Sequence, residues 1–242
     1  MYTYQTLPSL REHVRVKGEK DNCALEAAAL QWTKVAEENR LAYDIEWLGV
    51  PIIQTPEDLV LMQELVFRTR PDIVVETGIA HGGSLIFYAS LLELLGAGHV
   101  IGIDVEIRPH NRAVIEGHPL AKRITLIEGD SVSETVVHDV RARIPSGAHV
   151  LVCLDSNHTK DHVLRELERY APFVHPGGYI VAFDTNTSKL AELGACEERY
   201  LQNGPMEAVE AFLARTPNFV IDATYNKLYV GSSPNGYLIR IA

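Results

Sequence analysis

The stretch Pro-Asp-Ile-Val-Val-Glu-Thr-Gly-Ile-Ala-His-Gly-Gly-Ser, at positions 71–84, decides the fold of this 242-residue chain. Its residues 73–75 form an apolar run of the kind that is buried on both faces of a parallel sheet. Gly78 permits a sharp turn after the strand, and Gly82 and Gly83 let backbone N–H groups approach a ligand at the start of a helix. The stretch therefore predicts a strand, a ligand-binding turn and a helix.

The ligand predicted for this turn is cationic. The spacing E-x-G-x-x-x-G-G differs from the dinucleotide fingerprint G-x-G-x-x-G, so the turn is wider than a pyrophosphate clamp needs. The carboxylate of Glu76 would also repel phosphates. S-adenosylmethionine (SAM) carries a sulfonium and an ammonium group and therefore suits this loop.

The composition indicates a cytoplasmic globular enzyme with a small-molecule partner. Apolar residues make up 46% and charged residues 22% of the chain, and the formal charge is −10, which argues against nucleic acid and anionic membranes as partners. The three cysteines lie far apart without a C-x-x-C spacing, which disfavours disulfides and zinc. The N-terminus lacks the pattern of a signal peptide, and no apolar run approaches the roughly 20 residues of a membrane helix.

Strand-like apolar runs alternate with helical patterns, which predicts a mostly parallel sheet with helices on both faces. The predicted parallel strands are 73–76, 100–104, 124–128, 150–155 and 179–184. The predicted helices are 84–95, 111–116, 131–140, 160–170 and 205–214. Two closing runs, 219–222 and 228–230, are separated by too few residues for a helical crossover and are expected to pair antiparallel. By analogy, this is the seven-stranded, Rossmann-like α/β fold of class I methyltransferases.

Two regions are predicted along the chain. Residues 1–55 read as an N-terminal helical extension or cap, with a helix at 24–38, and residues 56–242 as the SAM-binding domain, opened by a helix at 56–68. The apolar segment 24–30 lies outside the alternating pattern. It makes a homo-oligomer formed through residues 1–50 plausible.

Acidic residues recur where the predicted strands end. Because ligands of open α/β sheets bind beyond the carboxyl ends of the strands, these acids are expected to meet in one crevice. They are Glu76, Asp104, Asp155 and Asp184. Asp104 stands where an acid commonly accepts hydrogen bonds from ribose hydroxyls, with Glu106 as a weaker alternative. In Gly129-Asp130-Ser131, Asp130 or Ser131 is either a helix N-cap or a neighbour of the adenine, and both interpretations stay open.

A second constellation follows the fourth and fifth strands. Asp155 and Asp184 end adjacent strands, and two close carboxylates repel unless a proton or cation lies between them, which predicts a Mg²⁺ site. The alternative is a pair of helix caps. His158 is a candidate general base, and both His158 and Asp155 are predicted to be catalytic residues. His162 is expected to pack or face water, and His81 to shape the SAM pocket.

Five motifs, in this order and spacing, resemble the cephalosporin-hydroxylase-like methyltransferases from about Pro51 to the C-terminus. They are Val-Val-Glu-Thr-Gly-Ile-Ala-His-Gly-Gly-Ser (74–84), Gly-Ile-Asp (102–104), Gly-Asp-Ser (129–131), Leu-Asp-Ser-Asn-His (154–158) and Pro-Gly-Gly-Tyr-Ile-Val-Ala-Phe-Asp-Thr (176–185). The resemblance implies a SAM- and Mg²⁺-dependent O-methyltransferase of antibiotics or of sugars in glycolipids and polysaccharides.

The same resemblance implies roles for individual residues. Those near SAM are Glu76, Gly78 and Ser84 at the methionine, Asp104 at the ribose and Asp130 at the adenine. Asp155 and Asp184 would hold the metal, and His158 occupies the place of a basic catalytic residue in the more distant catechol O-methyltransferases. Phe183 stands where many relatives carry a first acid, which leaves Thr185, Asn186 or water as the third ligand.

Two other functions stay open from the sequence, an NAD-dependent oxidoreductase and a SAM-binding subunit without transfer activity. The absence of G-x-G-x-x-G counts against the first, and the set Asp155, His158 and Asp184 against the second. The polar segment 185–204 is predicted to form a lid over the acceptor, in which Tyr200 could stack on a ring.

Overall fold

The computed structural model describes residues 22–242, so the part of the predicted N-terminal extension before Asn22 lies outside the described residues. The strands are β1 (Glu46–Trp47), β2 (Val50–Pro51), β3 (Ile73–Thr77), β4 (His99–Asp104), β5 (Ile124–Glu128), β6 (Val150–Leu154), β7 (Tyr179–Ala182), β8 (Phe219–Ile221) and β9 (Tyr237–Arg240). The α-helices are α1 (Asn22–Glu38), α2 (Pro56–Thr69), α3 (Gly83–Leu95), α4 (Pro109–Gly117), α5 (Glu134–Arg143), α6 (Lys160–Tyr170), α7 (Thr187–Glu192) and α8 (Pro205–Leu213).

Seven strands form one sheet in the order β5-β4-β3-β6-β7-β9-β8, while β1 and β2 form a separate hairpin. The pairings from β5 to β7 are parallel, and β9 pairs antiparallel with both β7 and β8. The first strand of this sheet, β3, lies near its centre, and the next two, β4 and β5, lie outward on one side of it. Strand β6 then pairs with the other side of β3. The edge at the carboxyl ends of β3 and β6 is therefore the topological switch point, where ligands of such sheets bind.

The sheet is covered on both faces because its central strands are apolar on both. Ile73 and Val75 of β3 pack in one core cluster, which includes residues of α5, α6 and α8. Val74, between them, packs in the opposite cluster with residues of α2 and α3. This is the burial that the continuous apolar run predicts, and the predicted seven-stranded α/β fold is confirmed.

The prediction of a strand at 228–230 is wrong. The antiparallel partner of β8 is β9, which inserts between β7 and β8. Tyr229 has a left-handed backbone, with φ of 63°, which interrupts an extended strand. The next residues are held by Asp58 of α2, whose Oδ2 accepts a hydrogen bond of 2.8 Å from the Ser232 N–H. A tertiary contact thus overrides the β-propensity of the run.

Two further differences from the prediction concern the start of α5 and the segment after β7. Helix α5 begins at Glu134 rather than at Ser131, and its N-cap is Ser133, whose side chain accepts a hydrogen bond from the Val136 N–H. Neither Asp130 nor Ser131 is therefore the cap. The polar segment 185–204, for which no helix was predicted, contains the short helix α7.

Gly78 lies where β3 and β6 come closest beyond their ends. A Cβ placed there would lie 2.1 Å from the backbone oxygen of Asp155, and φ is +79°. Gly96, at the end of α3, has nearly the same φ, +80°, but a Cβ there would meet nothing within 4 Å. The two glycines share a backbone conformation and differ in the space around them.

We expect Gly78→Ala to lower the free energy of unfolding by about 3 kcal/mol or more, because it adds a backbone clash to the left-handed strain. Gly96→Ala carries the strain alone, and we expect it to cost about 1 kcal/mol. Urea unfolding of both variants measures the difference, and equal losses would contradict the close approach of Gly78 to Asp155.

Candidate active site

A cleft of about 490 Å³ opens at the carboxyl ends of the parallel strands. Most of the side chains and turns that the sequence singled out line it, namely Gly78, His81, Ser84, Asp104, Asp130, Ser131, Asp155, His158 and Asp184. Glu76 and Gly82 are not among its lining residues. Gly82 instead packs on α4, because a Cβ there would lie 2.3 Å from the Cδ1 of Ile115.

Glu76 lies just beneath the cleft. Its side chain has no exposed surface, and Oε2 accepts a hydrogen bond of 2.7 Å from the hydroxyl of Ser84, which does line the cleft. Its Oε1 is buried and has no hydrogen-bond partner among the residues that the structure describes. Burial raises the pKa of Glu76 from 4.5 to about 8, against the opposing effect of the Ser84 hydrogen bond. The raised pKa favours the protonated form of Glu76, and a nearby cation would favour the ionised form.

Asp104 holds the glycine turn in place. Its Oδ2 accepts hydrogen bonds from the backbone N–H groups of Ile79, at 3.0 Å, and Ala80, at 3.3 Å, and Oδ1 accepts one from Glu106 at 3.3 Å. Two N–H groups of the turn, those of Ile79 and Ala80, therefore face this carboxylate. Oδ1 accepts only one hydrogen bond and has a second lone pair, so Asp104 retains the capacity to accept a further hydrogen bond from a hydroxyl at this oxygen.

The loop after β5 brings two different side chains to the cleft. Asp130 Oδ1 accepts a hydrogen bond of 3.2 Å from the Val132 N–H, which fixes the turn. The Ser131 hydroxyl donates to Oε1 of Glu166 on α6 at 2.5 Å. His162 Nε2 lies 3.1 Å from the Ser131 Oγ, so this imidazole packs against the loop. Packing was one of the two alternatives predicted for His162, and exposure to water was the other.

Asp155, His158 and Asp184 form a compact group at the opposite end of the cleft. One ligand atom from each lies within 4.8 Å of the others, and His158 Nε2 is 3.2 Å from Asp184 Oδ2. Burial, the nearby Asp184 carboxylate and Glu76 raise the pKa of Asp155 well above its usual range. Two carboxylates held this close favour a shared proton or a cation.

The donor set fits a small divalent cation. It offers carboxylate oxygens of two residues and an imidazole nitrogen, and oxygen ligands are what Mg²⁺ prefers. The two side chains proposed as the third ligand, those of Thr185 and Asn186, are engaged elsewhere. The Thr185 hydroxyl donates to the Pro234 carbonyl at 2.6 Å, the Asn186 amide donates to that of Gly231 at 3.3 Å, and Phe183 is buried in the core.

Gln54, which sequence reasoning missed, reaches Asp155 from the segment before α2. Its Nε2 donates to Asp155 Oδ2 at 2.8 Å, while its Oε1 is buried without a partner among the described residues. The β1–β2 hairpin brings this segment over the glycine turn, because Gly83 leaves room for the Pro51 carbonyl, which would lie 2.2 Å from a Cβ. No sequence motif marks Gln54, since the contact joins residues 101 positions apart.

A second cavity of about 400 Å³ adjoins the cleft and shares Tyr43, His158 and Asp184 with it. Its wall comes from α1, from residues 41–45 and 55–57, from α7 and the residues after it, and from residues 230–232. Its lining includes three aromatic and four acidic side chains, namely Trp32, Tyr43, Tyr200, Glu37, Glu57, Glu197 and Asp184. The guanidinium of Arg199, also in the wall, lies 2.9 Å from Glu197 Oε1. None of the helices within residues 22–242 is long and apolar enough to cross a membrane.

The switch-point cleft, the strand-end acids and the antiparallel closing strand define a class I, SAM-dependent methyltransferase fold. A structure of CmcI with Mg and SAM superimposes with a TM-score of 0.60 at 21% identity, covering 83% of this chain and 78% of that one. A putative caffeoyl-CoA O-methyltransferase from Staphylococcus aureus gives a TM-score of 0.56 at 15% identity, covering 90% of this chain and 91% of that one.

Residues 39–241 match the family model of rhamnosyl O-methyltransferase/CmcI, and the chain belongs to this family. A rhamnosyl O-methyltransferase of Mycobacterium bovis (strain BCG / Pasteur 1173P2) is 27% identical over 218 residues, covering 87% of this chain and 80% of that protein. The Mycobacterium leprae (strain TN) protein of the same name is 26% identical over 201 residues, covering 80% and 82%. The family and the O-methyltransferase activity predicted from the sequence are confirmed.

The buried Glu76 predicts a pH-dependent stability. Its pKa is higher in the folded chain, about 8, than the ordinary 4.5, so the folded state binds the proton more tightly. The free energy of unfolding should therefore fall as the pH rises from about 4.5 to about 8. Asp58, with a pKa raised by burial to about 6, adds a change of the same sign at lower pH.

In Glu76→Gln the Ser84 hydroxyl keeps an acceptor while the buried charge is lost, so we expect the fall above pH 6 to become shallower, with Asp155 contributing to the part that remains. Between pH 6 and pH 8 the stability of the variant relative to the wild type should increase by about 2–3 kcal/mol. Glu210→Gln makes the same substitution at an exposed site on α8 and serves as the control. Urea titrations at several pH values check this, and parallel curves for the wild type and Glu76→Gln would refute it.

Proposed function

We propose that this protein transfers the methyl group of SAM to a hydroxyl of a neutral sugar or glycoside, assisted by a divalent cation such as Mg²⁺. The observation that carries the proposal is the grouping of Asp155, His158 and Asp184 between the cleft and the second cavity, which share two of these residues, His158 and Asp184. SAM would lie in the cleft and the acceptor in the second cavity. The reacting atoms would then meet beside the two carboxylates.

The cleft supports SAM because its charges and hydrogen-bonding groups match that cofactor. Glu76, buried behind Ser84 with an unpartnered Oε1, favours a cation nearby. The predicted roles follow along the strand ends, with Gly78, His81, Gly82 and Ser84 around the methionine part, Asp104 at the ribose, and Asp130 and Ser131 at the adenine. Gly82 acts through the shape of the turn, since it packs on Ile115.

We assign Asp155 and Asp184 to the metal and His158 to the proton of the acceptor. A divalent cation bound by these carboxylates would supply the positive charge that orients an acceptor hydroxyl and lowers its pKa. Gln54 holds the Asp155 carboxylate in one orientation through its 2.8 Å hydrogen bond. His158 Nε2, 3.2 Å from Asp184 Oδ2, lies at the border of the two cavities, where it can accept the hydroxyl proton.

The acceptor class follows from the lining of the second cavity and from the names of the relatives. Glu37, Glu57 and Glu197 give the wall an excess of negative charge, with Arg199 paired to Glu197, so phosphorylated acceptors are disfavoured. Its aromatic side chains suit the apolar face of a sugar ring. The mycobacterial relatives are rhamnosyl O-methyltransferases, and we propose a rhamnosyl or similar glycoside here. Nothing favours the NAD-dependent or non-catalytic alternatives.

Two further expectations concern the setting of the enzyme. We propose that it acts in the cytoplasm, consistent with three free cysteines. We also propose a homo-oligomer formed through residues 1–50, because α1 exposes Leu25, Trp32 and Val35. Light scattering of the purified protein over a range of concentrations checks the assembly, and a monomer throughout would contradict it.

The function predicts methyl transfer from SAM to a neutral rhamnoside that EDTA abolishes and Mg²⁺ restores. Asp155→Asn and Asp184→Asn should each lower kcat/KM by about 100-fold or more, because each removes a charge that binds the metal. Asp161→Asn, an exposed acid in the first turn of α6, is the matched control and should keep full activity. A nucleotide-activated rhamnose should be a poor acceptor. Full activity in EDTA would remove the metal from the reaction.

His158 can be separated from the two carboxylates by measuring metal binding and turnover independently. We expect His158→Ala to lower kcat by about 100-fold, the usual contribution of a general base. Its Mn²⁺ affinity, followed by paramagnetic resonance, should stay within about threefold of the wild type, whereas Asp155→Asn should lose it. Loss of both turnover and Mn²⁺ binding in His158→Ala would instead make His158 a metal ligand.

A further inference from the structure

Glu166 on α6 is a buried acid that the proposed reaction does not use. Its side chain has no exposed surface. Oε1 accepts hydrogen bonds from the hydroxyls of Ser131, at 2.5 Å, and Ser156, at 2.7 Å. Oε2 is buried and has no hydrogen-bond partner among residues 22–242. An acid this deeply buried is costly to stability unless its charge is compensated.

The two serines belong to loops that line different parts of the cleft. Ser131 follows β5 and Ser156 follows β6, and in the sheet β4 and β3 lie between these strands. Glu166 therefore joins loops that the sheet itself does not connect. The hydroxyl of Tyr170, one turn further along α6, donates to the Ser131 carbonyl at 2.8 Å and holds the same loop from behind.

Glu166 also sets the direction of the hydroxyl protons. A carboxylate can only accept hydrogen bonds, and each serine hydroxyl has a single proton to give. When Ser131 and Ser156 donate to Glu166, their oxygens have only lone pairs left for other partners. His162, whose Nε2 lies 3.1 Å from Ser131 Oγ and 3.4 Å from Glu166 Oε1, completes the group.

We propose that Glu166 is a positioning residue that makes the Ser131 end of the cleft a hydrogen-bond acceptor and thereby selects the 6-amino group of adenine. The inference rests on the proposed function, in which the SAM adenine lies beside Asp130 and Ser131. The Asp130 carboxylate, in the same loop, is likewise an acceptor. A base that presents a carbonyl oxygen at this position, as hypoxanthine does, would meet acceptor against acceptor and bind poorly.

The test compares S-adenosylhomocysteine with S-inosylhomocysteine by calorimetric titration. Glu166→Met keeps the side-chain volume but removes the acceptor, so the Ser131 hydroxyl can donate to the cleft. We expect it to narrow the preference for the adenosyl compound about fivefold to tenfold, the worth of about one hydrogen bond. Glu166→Gln retains one oxygen that both hydroxyls can reach, and we expect it to keep the wild-type preference.

Stability separates this role from a structural one. Glu166→Met removes the unpartnered Oε2 but also the acceptor of the two serine hydroxyls, so we expect these effects to offset and the midpoint of urea unfolding to change little. An unchanged preference in Glu166→Met, or an equal loss of affinity for both compounds, would overturn the proposal. A wild-type protein that binds both compounds without preference would overturn the proposal alone. A wild-type protein that binds neither compound would contradict the proposed function itself.

Discussion

The close approach of Gly78 to the backbone of Asp155 is the constraint on which the site depends. Parallel pairing of β3 with β6 brings Thr77 beside Leu154, and the turn at Gly78 then passes the Asp155 carbonyl with no room for a Cβ. The cofactor turn and the metal acids thereby become neighbours in one cleft. Because both follow directly from rigid central strands, their separation is fixed by the sheet rather than by mobile loops.

Charge organises the site along the cleft. Glu76 and Asp155 are both buried acids whose pKa is raised, each in part by another nearby carboxylate. Without cations such an arrangement is unfavourable, and a cationic cofactor and a divalent metal would each relieve it. The acids that cost stability in the free protein are thus the ones that would bind ligands, the usual trade between stability and function.

Most of the fold could be predicted from local sequence patterns, and the features that could not be predicted depend on tertiary contacts. The apolar run of β3 and the acids at the strand ends could be predicted because each depends on residues close in sequence. The strand expected at 228–230 failed because Asp58 of α2 holds the following Ser232. Gln54 and Glu166 escaped notice for the same reason, since their partners lie on other elements. Glu166 also sits in the buried face of a regular amphipathic helix, with no motif around it.

The central claim is that Asp155 and Asp184 hold a divalent cation beside the bound cofactor. The most direct measurement is anomalous scattering from crystals of the full chain grown with Mn²⁺ and S-adenosylhomocysteine. The account predicts one strong manganese peak in contact with carboxylate oxygens of both residues, next to the sulfur of the bound nucleoside. Clear density for the nucleoside without manganese at these carboxylates, or with manganese only elsewhere, would contradict it.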